Sequence, residues 1–98
     1  MPQKIEIEKT GALEFRVRIL EKDGETTHQV SLKQEDYTKL TGGKIEPPEL
    51  VRRSFEFLLE REPKESILTR FDLSVIGRYF PEYEREIQKR LNKNDKNK

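Results

Sequence analysis

The sequence predicts an α+β fold, with a three-stranded antiparallel β-meander followed by helices packed on one face of the sheet. Two observations carry this prediction. Apolar residues recur at every second position in residues 5–7, 13–19 and 30–32, whereas through residues 47–92 they recur at helical spacing. A sheet with one apolar and one charged face has to cover its apolar face, and the helices are the part of the chain that can do so.

The meander is predicted from alternation and from one hairpin signal. Ile5 and Ile7 alternate with charged residues, and the same alternation continues through residues 13–19. The dipeptide Asp23-Gly24 favours a two-residue type I′ hairpin loop. That loop fixes a register that keeps one face of the second and third strands largely apolar. The register pairs Phe15 with Leu32, Val17 with Val30 and Ile19 with His28.

The first turn, near Thr10-Gly11, is predicted to be an odd-length or bulged loop. A two-residue loop would place Ile7 on the charged face of the sheet. A three-residue loop of Thr10, Gly11 and Ala12 instead places Ile7 opposite Phe15, on the apolar face.

The chain is organised around a central helix predicted over residues 47–61. Pro47 and Pro48 suit the first helical turn, and Glu62-Pro63 ends the helix because the residue before a proline avoids the α region. On a helical wheel the apolar residues cover an arc of about 200°, which is wider than a surface helix needs. We therefore expect protein on two sides of this helix. The predicted core comprises Phe15, Val17, Val30, Phe55 and Leu58.

A short helix over residues 34–41, stopped by Gly42-Gly43, leads into the central helix. Further helices are predicted over residues 63–71, 73–80 and 82–92, with Asp72 as the N-cap of the second of these. A close helix crossing would explain Gly77 inside a helix. The last helix carries a narrow apolar stripe that packs either on its own domain or on a second copy. That stripe consists of Tyr83, Ile87 and Leu91.

Composition bounds the class of protein. The 98 residues make one domain, predicted over residues 1–92, with a disordered basic tail over residues 93–98. The absence of cysteine excludes disulfides and thiolate metal sites. No apolar run reaches the roughly 18 residues of a membrane span, and residues 1–6 hold no apolar signal core, so we expect a cytoplasmic protein and no membrane partner.

One long string of the sequence resembles a known family. It begins SFEFLLEREPKESIL at Ser54 and continues through RFDLSVI, from Arg70, and RYFPEYE, from Arg78. This half of the chain is similar to a family of short, uncharacterised prokaryotic proteins, for which the resemblance implies no activity and no functional residue. Three strands followed by a helix is also similar in shape to the small antitoxins of the HicB family, although their central sequence signals are absent here.

Four features of the sequence are candidate sites of chemistry. His28 is the single histidine, and its predicted position favours an ordinary residue at the end of the sheet over a general base or metal ligand. Ser54 lies on the apolar arc of the central helix without a base, so helical packing is favoured over a nucleophile. Glu14 alternates with arginines on an exposed face, and Gly42-Gly43 lacks the phosphate-loop spacing. We expect no catalytic residue, metal or cofactor, and hence no enzyme.

The function predicted for this sequence is therefore a small non-catalytic interaction or regulatory module that binds a protein partner or a second copy of itself. The alternative is a nucleic-acid-binding protein in which residues 65–80 form a helix, a tight turn and a helix. Its expected contacts are Arg70, Arg78, Arg85, Lys89 and Arg90. The net charge of +1 disfavours this alternative, whereas residues 85–98, with six basic and two acidic residues, favour it.

Overall fold

A computed structural model describes the backbone of residues 4–96 and the side chains of residues 4–90. It has an α+β fold with a four-stranded sheet in the order β1-β2-β3-β4. The strands are β1 Lys4–Gly11, β2 Glu14–Glu21, β3 Gly24–Ser31 and β4 Arg70–Asp72. The helices are α1 Gln34–Thr41, α2 Pro47–Leu59, α3 Val75–Tyr79 and α4 Tyr83–Lys96, and a single 3₁₀ turn covers Lys64–Ser66.

The sheet has one strand more than the sequence predicted. The antiparallel meander of β1, β2 and β3 is present, but residues 63–71, predicted to be helical, form the 3₁₀ turn and then β4. β4 pairs with β3 in parallel, with Val30 opposite Phe71. A parallel pairing requires a long crossover connection, and the segment that contains α1 and α2 supplies it.

The hairpin between β2 and β3 has a register different from the predicted one. Phe15 pairs with Val30 and Val17 pairs with His28, a shift of two residues. The loop is Lys22-Asp23, neither residue has a positive φ, and Gly24 begins β3 with a φ of 149°. The prediction of a type I′ turn at Asp23-Gly24 was therefore wrong. The predicted apolar face was right, because a shift of two residues leaves each side chain on the same face of the sheet.

The turn between β1 and β2 is irregular, as predicted. The register shifts between Lys9 and Gly11, which is a bulge, and the loop that follows is Ala12-Leu13. Ile7 pairs with Val17 and not with Phe15. The need to keep Ile7 on the apolar face thus predicted the irregularity but not its position.

Helix α2 has protein on two sides, as its wide apolar arc predicted. Phe55 contacts the sheet side, with ring centroids 5.5 Å from His28 and 5.9 Å from Phe71. Phe57 contacts the other side, with its ring 5.4 Å from that of Tyr83 at the start of α4. All five residues of the predicted core are buried.

Two glycines and the end of α4 test the remaining predictions about the helices. Gly42 ends α1 in the left-handed conformation, with φ at 64°, and its N–H donates to the Thr38 carbonyl, so the predicted stop is confirmed. A close crossing does not explain Gly77, because no atom of another element lies within 4 Å of the position of its missing Cβ. Helix α4 continues to Lys96, beyond the predicted end at residue 92. Residues 97 and 98 of the predicted tail lie outside the described residues.

No helix within residues 4–96 is both long enough and apolar enough to cross a membrane.

Candidate functional site

An apolar groove opens at the end of the molecule where α2, the 3₁₀ turn, β4 and α3 meet. Its volume is about 350 Å³. Leu58 and Glu62 come from the end of α2 and the residues after it, whereas Ile67, Leu68 and Phe71 come from the segment leading into β4. Helix α3 and the residue after it complete the groove with Val75, Ile76, Tyr79 and Phe80, and Ser66 also borders it.

The floor of this groove is core, but its rim is exposed apolar surface. Leu58, Phe71 and Ile76 are buried. Leu68 and Tyr79 are 47% and 67% exposed, and they are the large apolar side chains that residues 4–90 leave exposed. Scattered exposed apolar residues are normal on a protein surface, but these two border one apolar groove, which makes the groove a candidate site.

Lys64 anchors the wall of the groove that precedes Leu68. Its ammonium donates to Glu21 Oε1 at 2.7 Å and to Glu65 Oε2 at 2.8 Å, and Asp23 Oδ1 lies 3.7 Å away. The hydrogen bonds to Glu21 and then Glu65 raise the pKa of Lys64 well above its ordinary range, so this side chain stays protonated. The 3₁₀ turn is thereby tied to the end of the β2–β3 hairpin.

His28, on β3, also holds this wall of the groove in place. Its Nδ1 lies 2.7 Å from the carbonyl oxygen of Leu68, and its Nε2 lies 2.8 Å from the hydroxyl of Thr26. Because a carbonyl only accepts, Nδ1 carries the proton and Nε2 of the neutral ring accepts from Thr26. Burial lowers the pKa of His28, which favours the neutral form. His28 is a buried residue within the sheet, and the prediction of a position at the end of the sheet was wrong.

Asp72 fixes the opposite wall, which carries Tyr79. Its carboxylate accepts from the Ser31 hydroxyl at 2.8 Å, from the Ser74 hydroxyl at 2.6 Å and from the Ser74 N–H at 3.0 Å. Burial opposes ionisation of Asp72, but these hydrogen bonds outweigh it, and the pKa lies below its ordinary value. The bonds join the end of β3 to the residue that precedes α3. The N-cap of α3 is Ser74 and Asp72 belongs to β4, so the prediction of Asp72 as the N-cap was wrong.

Ser54 is buried and has no base beside it. Its hydroxyl donates to the Leu50 carbonyl at 2.8 Å, so the 2.6 Å contact with Tyr83 has the tyrosine hydroxyl as donor. Burial raises the pKa of Tyr83 and keeps its hydroxyl neutral. These contacts are those of a packed core polar pair. They match the interpretation of Ser54 as a packing residue.

The apolar stripe predicted on the last helix packs inside the domain over its described part. Tyr83 and Ile87 are buried, and α4 contacts both α1 and α2. The side chain of Leu91 lies outside the described residues. Tyr83 and Ile87 therefore offer no exposed surface for self-association through this stripe.

The five basic residues predicted to contact nucleic acid lie on three different elements. Arg70 is exposed on β4 and Arg78 on α3, whereas Arg85 and Lys89 are exposed on α4. Arg90 donates to Glu60 Oε1 at 2.7 Å and is partly covered. A nucleic-acid contact by these side chains stays a prediction.

Acidic groups surround one of these arginines. Arg70 borders a concavity of about 340 Å³ together with Glu14 and Asp72. Carboxylates at this position repel a phosphate group, which disfavours a contact between Arg70 and a phosphate backbone.

No metal-binding arrangement occurs in the described part of the chain, where no group of three or more His, Asp or Glu side chains is placed to hold a metal ion. Comparison with protein-family models, with curated proteins and with solved structures finds no match. The apolar groove is therefore the candidate site, on geometry alone.

The sequence did not predict the groove, although one signal bears on it. Phe71 and Leu73 alternate with polar residues, which is typical of a strand, and Leu68 falls on the polar face of that alternation. This pattern favours an exposed Leu68. Tyr79 lies three residues after the buried Ile76, a spacing that places two side chains on one face of a helix, so no local pattern marks Tyr79 as exposed.

Proposed function

We propose that this chain is a non-catalytic interaction module that binds a segment of a protein partner in the apolar groove. The observation that carries the proposal is the exposure of Leu68 and Tyr79 on the rim of a groove whose floor is the hydrophobic core. Aromatic side chains beside apolar pockets are typical of the residues that dominate protein–protein binding.

The two rim residues supply part of the apolar surface that a bound segment would cover. Covering an exposed large apolar side chain completely is worth about 1.5–3 kcal/mol. Leu68 and Tyr79 are already partly covered, so together they offer roughly 2–4 kcal/mol before the costs of association. Contacts in the groove itself add to this, which suits a regulated, reversible interaction.

The groove walls are held in place before any partner binds. Lys64 and His28 fix the segment that carries Leu68, and Asp72 fixes the start of α3. A preformed site loses little conformational entropy on binding, and this supports a binding role. The polar side chains that border the groove are Glu62, Ser66 and Tyr79, and this set contains no paired base and nucleophile.

The proposal is tested by affinity capture from cells of the source organism with the full chain as bait. The baits are the wild-type chain, Leu68→Asp, Tyr79→Asp and a matched control, Thr27→Asp. Thr27 is exposed on the sheet face opposite the helices, so its substitution adds the same charge outside the groove. Each variant is first checked by thermal unfolding.

We expect a protein that is retained by the wild-type chain and by Thr27→Asp after nuclease treatment, and that is lost with both groove variants. A partner retained equally by all four baits would contradict the proposal. Recovery that disappears with nuclease and persists in the groove variants would support the nucleic-acid alternative. In that case Arg85→Glu and Lys89→Glu, on the exposed side of α4, should abolish the recovery.

A further inference from the structure

Glu62 is the charged residue among those that border the apolar groove. Its side chain is partly buried at the end of the groove where the chain leaves α2. The cations nearest to it in the chain have other partners. Arg61 bonds Glu82 Oε2 at 3.0 Å and stacks 3.8 Å from the centre of the Phe57 ring, and Lys64 bonds Glu21 and Glu65.

A carboxylate in this position restricts what the groove can bind. An entirely apolar segment would cover Glu62 and strip water from it without replacing the lost hydrogen bonds. A segment with a lysine or arginine at that point restores them through a charge-assisted hydrogen bond. Charges arranged in this way discriminate among partners more than they add affinity.

We propose that the occupant of the groove is a segment of a partner protein that places apolar side chains against Leu68 and Tyr79 and one lysine or arginine against Glu62. This inference rests on the proposed function and adds the chemistry of the partner. Arg78, exposed beside Tyr79 in the chain, disfavours a run of basic residues, so a single basic position is expected.

The test is a selection from a displayed library of random twelve-residue peptides. The baits are the wild-type chain, Tyr79→Asp, Glu62→Lys and the matched control Glu56→Lys. Glu56 is exposed on α2 and does not border the groove, so Glu56→Lys makes the same charge change elsewhere. Lysine just beyond a helix C-terminus is electrostatically favourable, so Glu62→Lys is expected to fold. Glu62→Gln, which only removes the charge, serves as a second variant.

We expect peptides that bind the wild-type chain and Glu56→Lys but not Tyr79→Asp. These peptides should combine apolar residues with one lysine or arginine at a fixed spacing. Exchanging that basic residue for glutamate should weaken binding to the wild-type chain at least tenfold by fluorescence anisotropy. The same exchange should strengthen binding to Glu62→Lys.

Peptides that depend on Tyr79 but show no basic preference, or whose affinity does not follow the charge at position 62, would overturn this inference and leave the proposed function standing. A library that yields no Tyr79-dependent peptide would also overturn it. The proposed function itself fails on a different result, which is a partner captured from cells that ignores Leu68→Asp and Tyr79→Asp.

Discussion

Replacing Phe55 by alanine tests whether α2 organises the fold. The Phe55 side chain extends from α2 and is fully buried against the sheet, where its ring contacts those of His28 and Phe71. Alanine leaves a cavity that these neighbours close only in part, because they belong to two separate strands. We expect Phe55→Ala to lower the free energy of unfolding by about 3–5 kcal/mol, which is a large share of the roughly 5–15 kcal/mol typical of a small domain.

Urea denaturation followed by circular dichroism measures this loss. At a slope of about 1.5 kcal/mol per molar urea, the unfolding midpoint should fall by roughly 2–3 M. Phe55→Leu, which keeps most of the apolar volume, should cost less than about 2 kcal/mol and provides the comparison if the alanine variant fails to fold. A loss below about 1 kcal/mol for Phe55→Ala would refute the reasoning, because it would mean that this ring is not enclosed.

Three further predictions concern backbone conformation and pH. Gly42→Ala should destabilise the chain by about 1 kcal/mol, because Gly42 has a left-handed φ of 64°, whereas Gly77→Ala in α3 should stabilise it by up to about 1 kcal/mol. Both positions have open space for a Cβ, so urea midpoints that moved in the same direction would contradict the argument. Burial lowers the pKa of His28 below its unfolded value of about 6.5, so the unfolded chain binds more protons. Stability should therefore decline as the pH falls from 7 to 5, and His28→Gln should decline less; equal declines would contradict this assignment.

The face of the sheet could be predicted from the sequence, but its register could not. A two-residue alternation indicates which side chains share a face. Registers that differ by two residues fit that alternation equally well. Asp23-Gly24 selected one of these, whereas the structure has the loop one residue earlier. That shift moves His28 from the end of the sheet to a position opposite Val17, and so decides its role.

Residues 63–73 show why the groove was missed. Ile67 and Phe71 are spaced for one face of a helix, while Phe71 and Leu73 are spaced for one face of a strand, and a segment this short fits both patterns. Pairing with the edge of β3 stabilises the strand, and β3 lies about 40 residues earlier in the chain. The groove exists because β4 docks there, which local patterns do not report.

The central claim is that the apolar groove is the binding surface, and nuclear magnetic resonance tests it most directly. The backbone amide spectrum of the full chain would be recorded with and without the captured partner segment. The account predicts that shift changes concentrate within residues 62–80, with the signals of Leu68 and Tyr79 among the largest. Changes that instead concentrate on Arg85 and Lys89, or on the exposed face of the sheet around Arg16 and Thr27, would contradict it.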